Sequence, residues 1–237
     1  DDDPTAELME AALGAGLVAG DDYLAVFTAR LDVLRRGGDG AGFRATAQLA
    51  RETLSGFFPN YVDRRLALPS YWAAVELELN TDDKAARGVW ESYTTQQGGD
   101  GEADGDGGGG GGEYANVAEA HVAHAEFLWR RLGSVEAARG VYKRCFARAR
   151  MESAISAPGA GPDGQAVLCR AWLRLEREAG TAETYAAADG KAGVKLRAAE
   201  AEAAEKKVLL PEKATRMRQA SDPNYKAAPQ VGGGDEG

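Results

Sequence analysis

Histidine and cysteine are the scarcest informative residues in this 237-residue chain, with two of each. His121 and His124 lie three apart with Glu126 nearby, but no further histidine exists to complete a metal site. Surface or groove-lining rings are therefore expected, and no metal. Cys145 and Cys169 have neither metal-ligand spacing nor a disulfide framework, so they read as buried thiols on helix faces in a reducing compartment. No run approaches the ~18 apolar residues of a membrane span, and no secretory signal is visible. A basic excess is missing too: 37 acidic against 28 basic residues give a formal net charge of -9. A nucleic-acid-binding domain relies on a basic face to neutralise phosphates, so this balance argues against strong direct contact with RNA or DNA.

Catalytic patterns are equally sparse. Gly107–Gly112 lacks the preceding strand and the Lys-Ser or Lys-Thr pair of a phosphate cradle. Both histidines share one helix, so no Ser-His-Asp arrangement is supported. No catalytic residue and no cofactor are expected, and the chain reads as a non-enzyme.

Helical periodicity is what the sequence does contain. Tyr23, Phe27, Leu31 and Leu34 form one buried stripe, with Asp21 and Asp22 placed as N-cap carboxylates and Gly37-Gly38 as the stop. A second stripe follows at Phe43, Ala47, Ala50, Leu54 and Phe57, ended by Pro59. Ser70 reads as the cap of a helix bearing Trp72, Val75 and Leu79, followed by one bearing Ala86, Val89, Trp90 and Tyr93. A long helix is expected from about Glu113 to Leu132, then a partner carrying Val135, Ala138, Val141, Tyr142 and Cys145. A last pair carries Leu168, Trp172 and Leu175, then Tyr185 and Ala188. No strand is expected.

The helices repeat. Trp72-x3-Glu76-x3-Asn80-Thr81-x-Asp83 is matched 100 residues later by Trp172-x3-Glu176-x3-Gly180-Thr181-x-Glu183, and Gly133-Ser134-Val135-Glu136 repeats the turn between them. Each turn offers a residue tolerant of left-handed geometry, a capping hydroxyl, and an acid for the helix dipole. Removing the 15 residues of 98–112 and the nine of 156–164 leaves 76 for two periods, or 38 each, a helix-hairpin length. The second helices share Ala86-Arg87-Gly88-Val89-Trp90 and Ala138-Arg139-Gly140-Val141-Tyr142. The third pair departs from the pattern: Ala125 stands at the tryptophan position and Trp129 at that of the glutamate.

This combination, Trp and Glu on the first helix with Ala-Arg-x-Val-aromatic on the second, resembles the HAT (half-a-TPR) repeat family of RNA-processing proteins. Tyr71–Tyr93, Tyr114-Ala115-Asn116, Trp172–Gly180 and the Ala/Glu/Lys-rich stretch after the last repeat are similar to the final HAT repeats of spliceosomal di-snRNP recycling factors. The resemblance implies an all-α, right-handed superhelical solenoid of antiparallel helix hairpins over 22–200. Residues 1–20 would end a preceding repeat, 98–112 and 156–164 would be flexible insertions, and 201–237 a helical extension with a disordered tail. It further implies a nuclear, non-catalytic scaffold for snRNP or other RNA-processing proteins, acting as a homodimer. Contact with RNA would be indirect or through domains outside this chain. A scaffold of another splicing or polyadenylation complex, or a generic TPR-like peptide adaptor, is the alternative.

Three expectations about particular residues follow. Trp72, Trp90, Tyr142 and Trp172 should be core, with Ala86 and Ala138 permitting close helix approach. Glu76 should pair with Arg87, and Glu176 with Arg174 or Arg177, while Glu126 and Arg139 are further structural positions of the repeat. Lys206, Lys207, Lys213, Arg216 and Arg218 form a loose basic cluster read as a solvated tail. The non-methionine start at Asp1 and the glycine-rich close at 231–237 lead us to expect a longer parent chain.

Overall fold

A computed structural model describes residues 4–80, 82–95, 112–148, 151–153, 164–202 and 204–205. The two insertions apart from Gly112 and Gly164, Thr81, and the basic cluster lie outside them. Among the described residues the fold is all-α, and the one extended contact is an isolated parallel bridge between Val117 and Glu152.

The chain opens with α1 (Pro4–Gly14), which contains no buried residue, and α2 (Gly20–Gly37). Asp21 and Asp22 occupy the first turn of α2 rather than its cap, which is Ala19, while Arg35 and Arg36 fall in the last turn. Both charge pairs therefore complement the helix dipole. Gly38, at φ 74°, takes the left-handed conformation that closes α2, and the Asp39 carboxylate then accepts from Gly42 N at 2.8 Å to open α3 (Gly40–Phe57). Phe43, Ala47, Ala50 and Leu54 are buried as the stripe predicts, but Phe57 is 71% exposed.

Helix α4 (Ala67–Leu79) begins three residues before Ser70. Asp63, itself buried, accepts from Arg65 N at 3.0 Å and Leu68 N at 3.2 Å, and so takes the capping role expected of the serine. Helix α5 is Lys84–Thr94. The expected helix from Glu113 starts only at α6 (Ala118–Glu126), and its last turn, Phe127–Arg131, is π-helical. Gly133 at φ 66° leads into α7 (Val135–Phe146), whereas Asn80, read as tolerant of left-handed geometry, is extended. Next come α8 (Gly164–Ala179) and α9 (Ala182–Ala188), then a second π turn at Asp189–Gly193 that runs on into further helix over 194–202. Thr181 caps α9 in a reciprocal box with Thr184, and Ser134 makes no such bond at α7.

Contacts follow chain order. α2 packs on α3, α4 on α5, α6 on α7 and α8 on α9, and successive pairs meet through α3–α4, α5–α6 and α7–α8. α6 also meets α8, and the core divides into three clusters along the chain. The first centres on Phe27, Leu31 and Phe43, the second on Trp90, Tyr93 and Phe127, and the third on Tyr142, Leu168 and Leu175. No helix among the described residues is long and apolar enough to cross a membrane.

Candidate functional site

Two of the three junctions between pairs carry the same three-residue device. At the first, Arg44 of α3 donates to Glu76 of α4 through Nε at 2.9 Å and Nη2 at 2.8 Å, and Trp72 donates its indole N–H to Glu76 Oε1 at 3.1 Å. At the last, Arg139 of α7 donates to Glu176 of α8 at 2.7 and 2.8 Å, and Trp172 donates its indole N–H to Glu176 Oε1, again at 3.1 Å. The i, i+4 spacing places indole and carboxylate on one helix face. The arginine arrives from the second helix of the preceding pair. Burial pushes both carboxyls up, but their hydrogen bonds outweigh it and hold them below the usual carboxylate range. Those bonds come from Arg44, Trp72 and Asn80 for Glu76, and from Arg139, Thr184 and Trp172 for Glu176.

These partners differ from the expected ones. Arg87 pairs with Asp83 of its own helix rather than with Glu76. Arg174 bridges Glu126 at 3.2 Å and Glu178 at 2.8 Å rather than meeting Glu176, so Glu126 ties α6 to α8. The missed partner, Arg44, has a signal in the sequence. It stands five residues after the capping Asp39, as Arg139 stands five after Ser134. Ala86, Ala138, Trp90, Tyr142 and Trp172 are buried as expected, and Trp72 is half-buried.

The middle junction lacks the device, and the π turn explains how. A π turn accommodates one extra residue, which shifts the face of everything before it by one position. Counted that way, His124 and Leu128, not Ala125 and Trp129, occupy the tryptophan and glutamate positions. Neighbours agree: Trp172 meets Phe146 edge-on, and His124 Nδ1 lies 3.2 Å from Oγ1 of Thr94, which holds the place on α5 that Phe146 holds on α7. His124 also stacks on Trp90, with ring centroids 5.9 Å apart and planes 7° from parallel. With buried Leu128 in place of a carboxylate, Arg87 has no glutamate to reach.

Both histidines are buried, at 3% and 4% exposure, rather than on the surface. They line a groove of about 540 Å³ between the second and third pairs, with Thr94 and Thr95 beside them, Arg144 and Cys145 from α7, and Arg148 just after it. Burial, opposed by a bond to Ala115 O and reinforced by Arg148 and Arg144, lowers the His121 pKa to about 4. Burial, His121, Arg144 and Arg87 lower that of His124 to about 3. Both rings are neutral at pH 7. No group of three metal-ligating side chains occurs among the described residues. Cys145 and Cys169 are buried thiols, as expected, and burial pushes the Cys145 thiol up.

A second cavity, of about 280 Å³, is lined by Arg51, Phe58, Tyr61, Asp63, Tyr93 and Tyr114, among others. The Arg51 guanidinium lies 4.3 Å above the Tyr93 ring. No protein-family model, curated protein or solved structure matches the chain.

Proposed function

We propose that this chain is a non-catalytic protein-docking scaffold of the HAT type. Its helix pairs would stack as antiparallel hairpins in a right-handed superhelix and serve spliceosomal snRNP assembly or recycling in the nucleus. The observation that carries the reading is the Arg–Glu–Trp device at two junctions, whose Trp and Glu recur 100 positions apart and whose Arg recurs after 95. Two of its three members, Trp and Glu, also carry the resemblance to HAT repeats. A device that joins the second helix of one pair to the first helix of the next is what a stacked array needs. Repeat arrays of this kind present extended surfaces to other proteins and require no catalytic group. The acidic net charge favours protein partners over RNA.

Affinity purification of the tagged chain from nuclear extract, with snRNP proteins and small nuclear RNAs quantified, tests the assignment. Enrichment of one di-snRNP over other ribonucleoproteins is expected; equal recovery from an unrelated helical bait would overturn it. Light scattering at tens of micromolar tests the homodimer, against which a monomer mass would count.

A further inference from the structure

The groove at the middle junction contains groups that the packing of helices does not need. His121 Nε2 lies 2.8 Å from Ala115 O and 3.2 Å from Nη1 of Arg148; the carbonyl, which can only accept, is the nearer and already takes that guanidinium, so the proton is assigned to Nε2 and Nδ1 is a bare acceptor. Thr94 donates its hydroxyl to Trp90 O at 2.8 Å, so its oxygen accepts from His124 Nδ1–H at 3.2 Å, which leaves Nε2 of His124 bare. Neither bare nitrogen has a partner among the described residues. Opposite them, Arg148 holds Ala115 O, while the exposed Arg144 guanidinium has no hydrogen bond or ion pair among the described residues. Among the described residues Glu91 is the one acid lining the groove. The walls thus offer fixed positive charge and two proton acceptors together.

That pairing selects among anions. A carboxylate or a phosphodiester carries no proton at neutral pH, and its oxygens would face the histidine lone pairs. A phosphate monoester has a second pKa near ~6, so its monoanion both accepts from guanidinium and donates a P–OH to imidazole. We infer that the groove between α5, α6 and α7 is a phosphoryl-binding site for a phosphorylated serine or threonine on a partner protein. Arg144 and Arg148 would take the anionic oxygens, and His121 and His124 the proton. The inference rests on the docking reading and gives that reading a partner chemistry.

The two histidines are the only ones in the chain, so ring resonances in an imidazole nitrogen–proton correlation spectrum report on the groove alone. The probes are a short phosphoserine peptide, its unphosphorylated and aspartate counterparts, and a single-stranded RNA without terminal phosphate. The phosphopeptide is expected to move both ring signals saturably at pH 6.5. Arg144→Ala, which removes no contact of the folded chain, is expected to weaken binding roughly tenfold, the loss of one charge-assisted bond. Unmoved signals at millimolar phosphopeptide, equal binding of the unphosphorylated or aspartate peptide, tighter binding of the RNA, or unchanged affinity in Arg144→Ala with an unchanged melting temperature would each overturn the site. Failure here with snRNP enrichment retained would overturn the groove alone.

Discussion

Replacing Arg139 by alanine separates the two roles that a buried ion pair can have, attraction and compensation. The Glu176 side chain is 2% exposed and Arg139 is 11% exposed, so water replaces little of what the guanidinium supplies. Without it the carboxylate keeps its indole bond from Trp172 but loses donors at 2.7 and 2.8 Å. A buried charge stripped of its partner costs on the order of 3–5 kcal/mol. Arg44→Ala should cost less, about 1–2 kcal/mol, because the Arg44 side chain is 45% exposed and solvent can replace part of its bond. The compensating variant is Arg139→Met with Glu176→Gln, which removes both charges and keeps a carbonyl for the indole N–H. It should recover at least ~2 kcal/mol of the single loss, since the uncompensated charge, not a strong net attraction, dominates the penalty. Urea unfolding followed by circular dichroism gives each value, with an unchanged m-value required for the comparison. A single variant within ~0.5 kcal/mol of the parent, or a double variant no better than the single, would refute the assignment of this device to the junction.

Other perturbations probe neighbouring elements. Trp172→Ala should lower stability by about 3–5 kcal/mol through the cavity and the lost carboxylate donor, and Trp72→Ala by less because Trp72 is half-buried; thermal melts rank the two. Gly133→Ala should cost roughly 1 kcal/mol, because φ 66° is left-handed and the space around the position is open, so strain alone is measured; a stabilised variant would contradict the turn geometry. Cys145 and Cys169 should resist a thiol reagent until denaturant unfolds the chain, and fast labelling in buffer would show that their helices open locally.

Most helix positions were legible because periodicity records which face is buried, and that face is settled within one helix pair. Tyr23 to Leu34 and Phe43 to Leu54 lie where the stripes place them. Partners across junctions were harder to read. Glu76 and Arg87 look paired when only one hairpin is considered, yet the arginine comes from the pair before, 32 residues away in sequence. Short-range capping misled for a similar reason. Ser70 has the right chemistry, but the helix opens three residues earlier, where Asp63 accepts from Arg65 N and Leu68 N across a turn in which Leu66 takes a left-handed φ of 52°, a conformation rare for a branched side chain. The third pair was misread by one residue throughout its first helix, because a π turn leaves no compositional mark and shifts the whole register.

That misread helix also separates the junctions by their response to acid. In the unfolded chain both histidines titrate near ~6.5, and in the fold near about 4 and about 3. A histidine whose pKa is lowered by folding contributes full stability above its unfolded pKa and loses it as pH falls toward its folded pKa. At pH 5 the loss is about 2 kcal/mol for each ring, relative to neutral pH. Glu76 and Glu176 have folded pKa values below the ordinary 4.5, so their contribution persists to that pH and fails only below it. Acid should therefore loosen the middle junction between pH 6.5 and 4, and the two outer junctions afterwards. Hydrogen exchange at pH 5, corrected for intrinsic rates, should show protection falling first in α5 and α6, with α4 and α8 retained. Replacing His124 by glutamine, which keeps a donor for Thr94 and cannot gain charge, should remove about half of the decline. Equal loss of protection along all helices would mean that the chain unfolds as one unit and that the histidines do not set the order.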